Sequence, residues 1–98
     1  MNKTYVASNK DICRVTFKLP KEIEARTVNL VGEFNKWDKR ATPMKRQKDG
    51  SFSVTLDLPA GQEFRFRYLL DDSLWDNDWD ADSYVPNGFD SEDSVVST

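Results

Sequence analysis

Three residues of this chain have the chemistry of a site for a flat ligand: Trp37, Arg67 and Trp75. Trp37 follows a short apolar run, residues 28–31, that ends in Gly32, and it stands among Lys36, Asp38, Lys39 and Arg40. Core tryptophans sit inside an apolar alternation, whereas this indole sits in a charged loop just past a strand. A flat ring held on a loop suits stacking against the apolar C–H face of a pyranose. The hydroxyl rim of such a sugar needs fixed donors and acceptors at the platform's edge. Trp75 is a second platform, and Arg67, eight residues before it, is the donor. Each residue has an alternative that the sequence leaves open. Trp37 packs beneath its own loop, Trp75 anchors the long loop that carries it, or Arg65 and Arg67 form a solvated strand face paired with carboxylates.

The composition narrows the chemistry further. The chain has 98 residues and no histidine, which removes the commonest general base and metal ligand. Its single cysteine, Cys13, lies in an apolar alternation and reads as a core residue with no disulfide partner. Net charge is −3, so nothing general favours nucleic acid or an anionic membrane. No apolar run is long enough to span a bilayer, and the first residues lack the apolar stretch of a secretory signal. Cytoplasm is the expected location.

The elements that must position these residues are strands. Cys13, Val15, Phe17 and Leu19 alternate with polar neighbours, as do Phe52, Val54, Leu56 and Leu58, and Phe64, Phe66, Tyr68 and Leu70. Each set reads as a half-buried strand with one wet face. Residues 28–31 and 93–97 read as two more, with short edge strands at 43–47 and near 83–85. Asp49-Gly50 and Pro59-Ala60-Gly61 are turns between strands. Residues 21–26 hold at most one helical turn. Residues 1–9 and the last two or three are expected to be loose. The expectation is therefore an all-β fold in one domain over 1–98. Its form is an immunoglobulin-like antiparallel β-sandwich of about seven strands. Residues 71–93 break the alternation yet carry Trp75, Trp79, Tyr84 and Phe89, so they read as an ordered excursion packed partly on the sandwich. Within it Trp79 reads as a loop anchor, and Phe34 as the core residue that staples the Trp37 loop down.

An ordered set of short motifs runs from residue 12 to residue 97. It comprises Gly32, Phe34, Asn35, Trp37, Pro43-Met44, Gly50-Ser51-Phe52, Leu58-Pro59-Ala60-Gly61, Phe66-Arg67-Tyr68, Asp71, Trp75 and Val95-Val96. In this order the set resembles the early-set starch- and glycogen-binding modules of AMP-activated kinase beta subunits, isoamylases and branching enzymes, and above all their small stand-alone bacterial relatives. The resemblance implies a non-catalytic α-glucan-binding module without a cofactor or a metal. It places the family's stacking tryptophans on Trp37 and Trp75 and its strand lysine on Arg67. It puts the residues that close the rim on Phe89, Ser91 and Asp93. It also implies an α-glucan partner and association with a glycogen- or starch-metabolising enzyme or another protein. Three carboxylates depart from the pattern: Asp72 and Asp90 where glycine is usual, and Asp93 where asparagine is common. Arg67 keeps the family's charge but not the shape of lysine.

Three readings from other classes stand beside this one. The alternating carboxylates of residues 76–82 suggest a hard cation, but the sixth and twelfth positions are Ala81 and Asn87 rather than Gly and Glu. Paired carboxylates could also hydrolyse glycosides, but the resembling module has no catalytic role of its own. The third is a protein-interaction or regulatory module that has lost sugar binding, since exposed Trp and Arg are common interface anchors.

Overall fold

Period-two alternation folds here into two antiparallel sheets packed face to face. A computed structural model describes residues 1–88 and 91–98. Its strands are β1 (Asn2–Val6), β2 (Asn9–Leu19), β3 (Val28–Gly32), β4 (Lys45–Arg46), β5 (Phe52–Pro59), β6 (Glu63–Leu70), β7 (Leu74–Asp76), β8 (Ser83–Pro86) and β9 (Glu92–Ser97). One sheet has the order β1-β2-β5-β4, and the other β3-β6-β9-β8 with β7 also paired to β6. The architecture is the expected immunoglobulin-like sandwich, with nine strands among the described residues rather than about seven. The additional strands are short or peripheral. Residues 1–9, read from the sequence as loose, contain β1 and the start of β2, with Tyr5 opposite Cys13. Residues 21–26 form turns and no helix. No helix among the described residues is long and apolar enough to cross a membrane.

The core is formed by the inward residues of both sheets. Cys13, Val15, Phe17, Leu58, Phe66, Tyr68 and Val96 are all at least 95 % buried. Phe17 meets Phe66 edge-on with ring centroids 5.0 Å apart, and Phe66 meets Tyr68 edge-on at 5.7 Å, the arrangement that ring quadrupoles favour. Phe34 packs onto this cluster, 5.7 Å from Phe17 and 6.1 Å from Phe64, so it does staple the Trp37 loop to the core.

The outward face of β6 is not uniformly wet. Leu69 and its outer-face neighbours Val31 and Val95 are each no more than 2 % exposed. A second, thinner apolar layer therefore lies on that face, where Arg67 and Trp75 also stand. The segment after Trp37 also crosses between sheets. Pro43 bridges to Asn29, and the Met44 N–H donates to the Val28 carbonyl, before Lys45 and Arg46 pair with β5 in the other sheet.

The excursion after β6 is anchored by polar groups rather than by Trp79. Asp78 is 4 % exposed. Its Oδ2 accepts the Tyr68 hydroxyl at 2.7 Å and its Oδ1 accepts the Asp80 N–H at 2.8 Å. Its own N–H donates to Ser94 Oγ at 2.9 Å, and its carbonyl accepts the Tyr84 hydroxyl. Trp79 is 79 % exposed, which overturns its reading as the loop anchor. A satisfied buried network holds a loop more specifically than a ring that can slide, because leaving any one member unpaired is costly.

Burial, reinforced by the Asp78 carboxylate, pushes the Tyr68 phenol well above its ordinary range. A phenol raised on folding contributes stability that is complete below its unfolded value of about 10 and is lost as pH rises beyond it. Tyr68→Phe strands the Asp78 carboxylate and is expected to cost about 1–3 kcal/mol at pH 7. Thermal melts should show that deficit at pH 7 and a narrower one above pH 10. A variant as stable as the wild type at pH 7 would remove the network's anchoring role.

Candidate functional site

The first platform is built at the end of β3. Gly32 lies opposite Phe66, and the chain then makes a single 3₁₀ turn at Glu33–Asn35. Glu33 Oε1 accepts the Arg65 N–H at 2.6 Å, which satisfies the β6 backbone just past the point where β3 leaves it. Asn35 ties the turn to the strand. Its Oδ1 accepts the Gly32 N–H at 3.0 Å, and its Nδ2 donates to the Leu30 carbonyl at 2.8 Å and to Thr42 Oγ1 at 3.0 Å. An amide offers a donor and an acceptor on one short stem, which is why asparagine serves this loop.

Lys36 and Trp37 then both take left-handed backbone, with φ of 59° and 58°. The Trp37 N–H closes the loop onto the Gly32 carbonyl at 2.8 Å. A bulky residue at positive φ is an outlier that costs on the order of 1–2 kcal/mol. Such strain persists where the surroundings over-determine it, and often where function uses it. Here it leaves the Trp37 ring 39 % exposed.

The second platform comes from β7. Asp71 and Asp72, at φ of 50° and 59°, turn the chain, and the Ser73 N–H bonds back to the Leu70 carbonyl at 3.0 Å. Two consecutive residues at positive φ make a primed turn, which favours Gly, Asn and Asp. Asp71 Oδ1 accepts the backbone N–H groups of Arg26 and Thr27 at 2.7 and 3.0 Å. Those bonds, Thr27 first, hold its carboxyl below the usual range. Trp75 lies opposite Leu69 on the outer face and is also 39 % exposed.

Arg67 projects from the same face of β6, half-buried, with its guanidinium carbon 5.6 Å from the Trp75 ring centroid. Its Nε is buried and has no hydrogen-bond partner among the described residues. Trp37, Arg67, Trp75, Asn87 and Asp93 line one open depression of about 450 Å³. A second depression of about 330 Å³ lies where β2 ends, with Leu19, Pro20 and Ile23 on one side and residues 76–80 on the other. It has one indole, Trp79, and no aromatic partner for it, so it lacks the paired platforms of the first.

Four of the six residues singled out in the sequence thus meet: Trp37, Arg67, Trp75 and Asp93. Ser91 is exposed and does not line the depression. Its Oγ instead accepts a hydrogen bond from Asn87 Nδ2 at 2.8 Å. Phe89 lies outside the described residues, as does Asp90. Asp93 is only 6 % exposed, and its Oδ1 accepts from Asn87 Nδ2 at 3.2 Å. Asn87 was not singled out by sequence reasoning, although the Asn-Gly pair at 87–88 is a turn signal that marks this hairpin. Asp72 lines a different depression, with Arg26, Arg40 and Arg46.

The carboxylates of residues 76–82 are directed elsewhere. Asp76 accepts its neighbour's N–H, and Asp82 accepts Lys3 and the Ser97 N–H. No group of three or more His, Cys, Asp or Glu among the described residues is arranged to hold a metal ion. Chemically, the depression offers two partly exposed indoles, one guanidinium, one amide and one carboxylate. That set can stack rings and bond hydroxyls.

Comparison with known proteins gives two findings. The family model described as the glycogen recognition site of AMP-activated protein kinase matches residues 14–97. The 1,4-alpha-glucan branching enzyme of Photobacterium profundum is 42 % identical over 43 residues, which is 43 % of this chain and 6 % of that enzyme. The matched stretch is thus a small part of a much longer protein.

Proposed function

The chain belongs to the family of the glycogen recognition site of AMP-activated protein kinase, and from that premise we propose how it engages its ligand. It is a non-catalytic module that binds α-glucan of the glycogen or starch type. Trp37 and Trp75 stack on successive glucose rings. Arg67, with no acceptor for its Nε among the described residues, donates to sugar hydroxyls, and Asp93, whose Oδ1 is held by Asn87 Nδ2, accepts at the rim. The observation that carries this reading is the meeting of Trp37, Arg67 and Trp75 in one depression, although three separate elements supply them. The site is shallow and desolvates few groups, so affinity for a short oligosaccharide is expected in the micromolar to millimolar range.

The module itself performs no chemistry on the glucan. An activity close by would come from a glycogen-metabolising enzyme, for which the partial match to a branching enzyme is the argument. The reading places the protein with glycogen in the cytoplasm. A second reading, docking to a protein, is favoured by Trp79 and Leu74, which are 79 % and 65 % exposed and line no wall of the sugar depression.

A two-dimensional NMR titration with maltoheptaose separates the two readings. Saturable shifts of the Trp37 and Trp75 indole N–H signals, with Trp79 unmoved, are expected. No shift at several millimolar sugar would end the glucan reading and turn the search to protein partners.

A further inference from the structure

The two platforms belong to different elements, and a stacking site works only if their spacing holds. Among the described residues no hydrogen bond or ion pair joins the Trp37 loop to the β7 arm. One contact does join them. Lys39, two residues past Trp37, places its Nζ 5.8 Å from the centroid of the Trp75 ring. Lys39 does not line the depression. Arg67 already holds a second cation 5.6 Å from the same ring.

We infer that Lys39 is a positioning residue that clamps Trp75 to the Trp37 loop and sets the spacing of the two aromatic platforms. The physical case starts from β7, which is three residues long and, among the described residues, pairs only with β6, so few ladder bonds hold it. Trp75 is 39 % exposed and shares its outer face with Leu69 opposite. An indole face is the strongest π partner for a cation, and a lysine stem of four carbons reaches it from the neighbouring loop. Pre-setting a platform lowers the ordering cost that the ligand would otherwise meet. The inference rests on the glucan reading for its functional consequence, but not for its structural one.

Lys39→Ala, Lys39→Met and Lys39→Arg test it. Methionine keeps an unbranched stem and removes the charge, whereas arginine keeps the charge. In ligand-free protein, Lys39→Ala and Lys39→Met should move the Trp75 indole N–H signal and lower its heteronuclear NOE, while Lys39→Arg should leave both near wild type. In maltoheptaose titrations the first two should bind about two- to fivefold more weakly, with Lys39→Arg close to wild type. Melting temperatures should stay within a few degrees throughout, because the side chain is exposed.

An unmoved Trp75 signal in Lys39→Ala overturns the inference. So does a Lys39→Met protein that behaves as wild type, because the charge would then be irrelevant. Tighter sugar binding by Lys39→Ala also overturns it, since Lys39 would then be covering the ring. If the wild type binds no maltoheptaose, the glucan reading fails, and the ligand-free Trp75 signal still decides whether the clamp exists.

Discussion

Trp37→Ala should remove most α-glucan binding while leaving the fold intact. A fully engaged tryptophan at the centre of a binding site is commonly worth about 2 kcal/mol or more, roughly thirtyfold in affinity. Stability should change little, because the ring is partly exposed and the loop is held by other groups. Asn35 bonds Gly32, Leu30 and Thr42, and the Trp37 N–H to Gly32 bond survives any side chain. The backbone adds a sharper comparison. Position 37 sits at φ 58°, where alanine retains the left-handed penalty and glycine does not. Trp37→Gly should therefore melt at or above Trp37→Ala, and both should fail to bind. Calorimetric titration with maltoheptaose and thermal melts of the two variants check this. A large drop in melting temperature in both would assign the ring to the core, and the stacking role would be lost.

Gly32→Ala is expected to produce the largest stability loss of any one-carbon change in the chain. An added Cβ would lie 2.6 Å from the Arg65 carbonyl oxygen, 2.8 Å from Phe66 Cβ and 2.9 Å from Phe34 Cζ. The obstacle is space and not dihedral angle, because Gly32 is fully extended at φ −169°. Two of the three neighbours belong to β6 itself, so they cannot swing aside. Overpacking of this kind costs about 1–3 kcal/mol, and in a domain of this size each kcal/mol lowers the melting temperature by about 4–8 °C. Phe34 is the neighbour that can yield, and its displacement would carry the Trp37 loop with it. Sugar affinity and stability should thus fall together in Gly32→Ala, in contrast to Trp37→Ala. A melt within a few degrees of wild type would mean that the close strand approach relaxes freely.

Much of this was legible along the chain. The alternations at Cys13–Val15–Phe17, Phe52–Val54 and Phe64–Phe66–Tyr68 report strands with one buried face, because side chains on a strand alternate strictly. The ordered motif from Gly32 through Asn35 to Trp37 identified the loop and its exposed indole. Trp75 and Arg67 were also singled out along the chain, and the structure brings both beside Trp37. Illegible residues share a physical character: their roles depend on partners distant in sequence. Leu69 falls on the face of β6 that alternation marks as wet, yet it is buried there beneath the candidate site. Trp79 reads as an anchor by hydrophobicity, but Asp78 anchors, because Tyr68 and Ser94 meet its carboxylate and N–H. Asn87, which no local pattern marks as a site residue, lines the wall and donates to the Ser91 hydroxyl.

By itself the sequence determined the all-β sandwich and its main strands, which follow from local periodicity and from residue types that only certain turns accept. Its ordered motifs carried the resemblance to the family and singled out the pair of tryptophans. The tertiary structure decided which side chains share a surface. It brought Asp93 into one depression with Arg67, tied Ser91 to Asn87, and set Lys39 against Trp75. Such pairings arise from cross-strand register and loop closure, where residues far apart in the chain meet because the core on the other face fixes their strands. No local pattern records that geometry, since the contacts that impose it lie in the opposite layer of the fold.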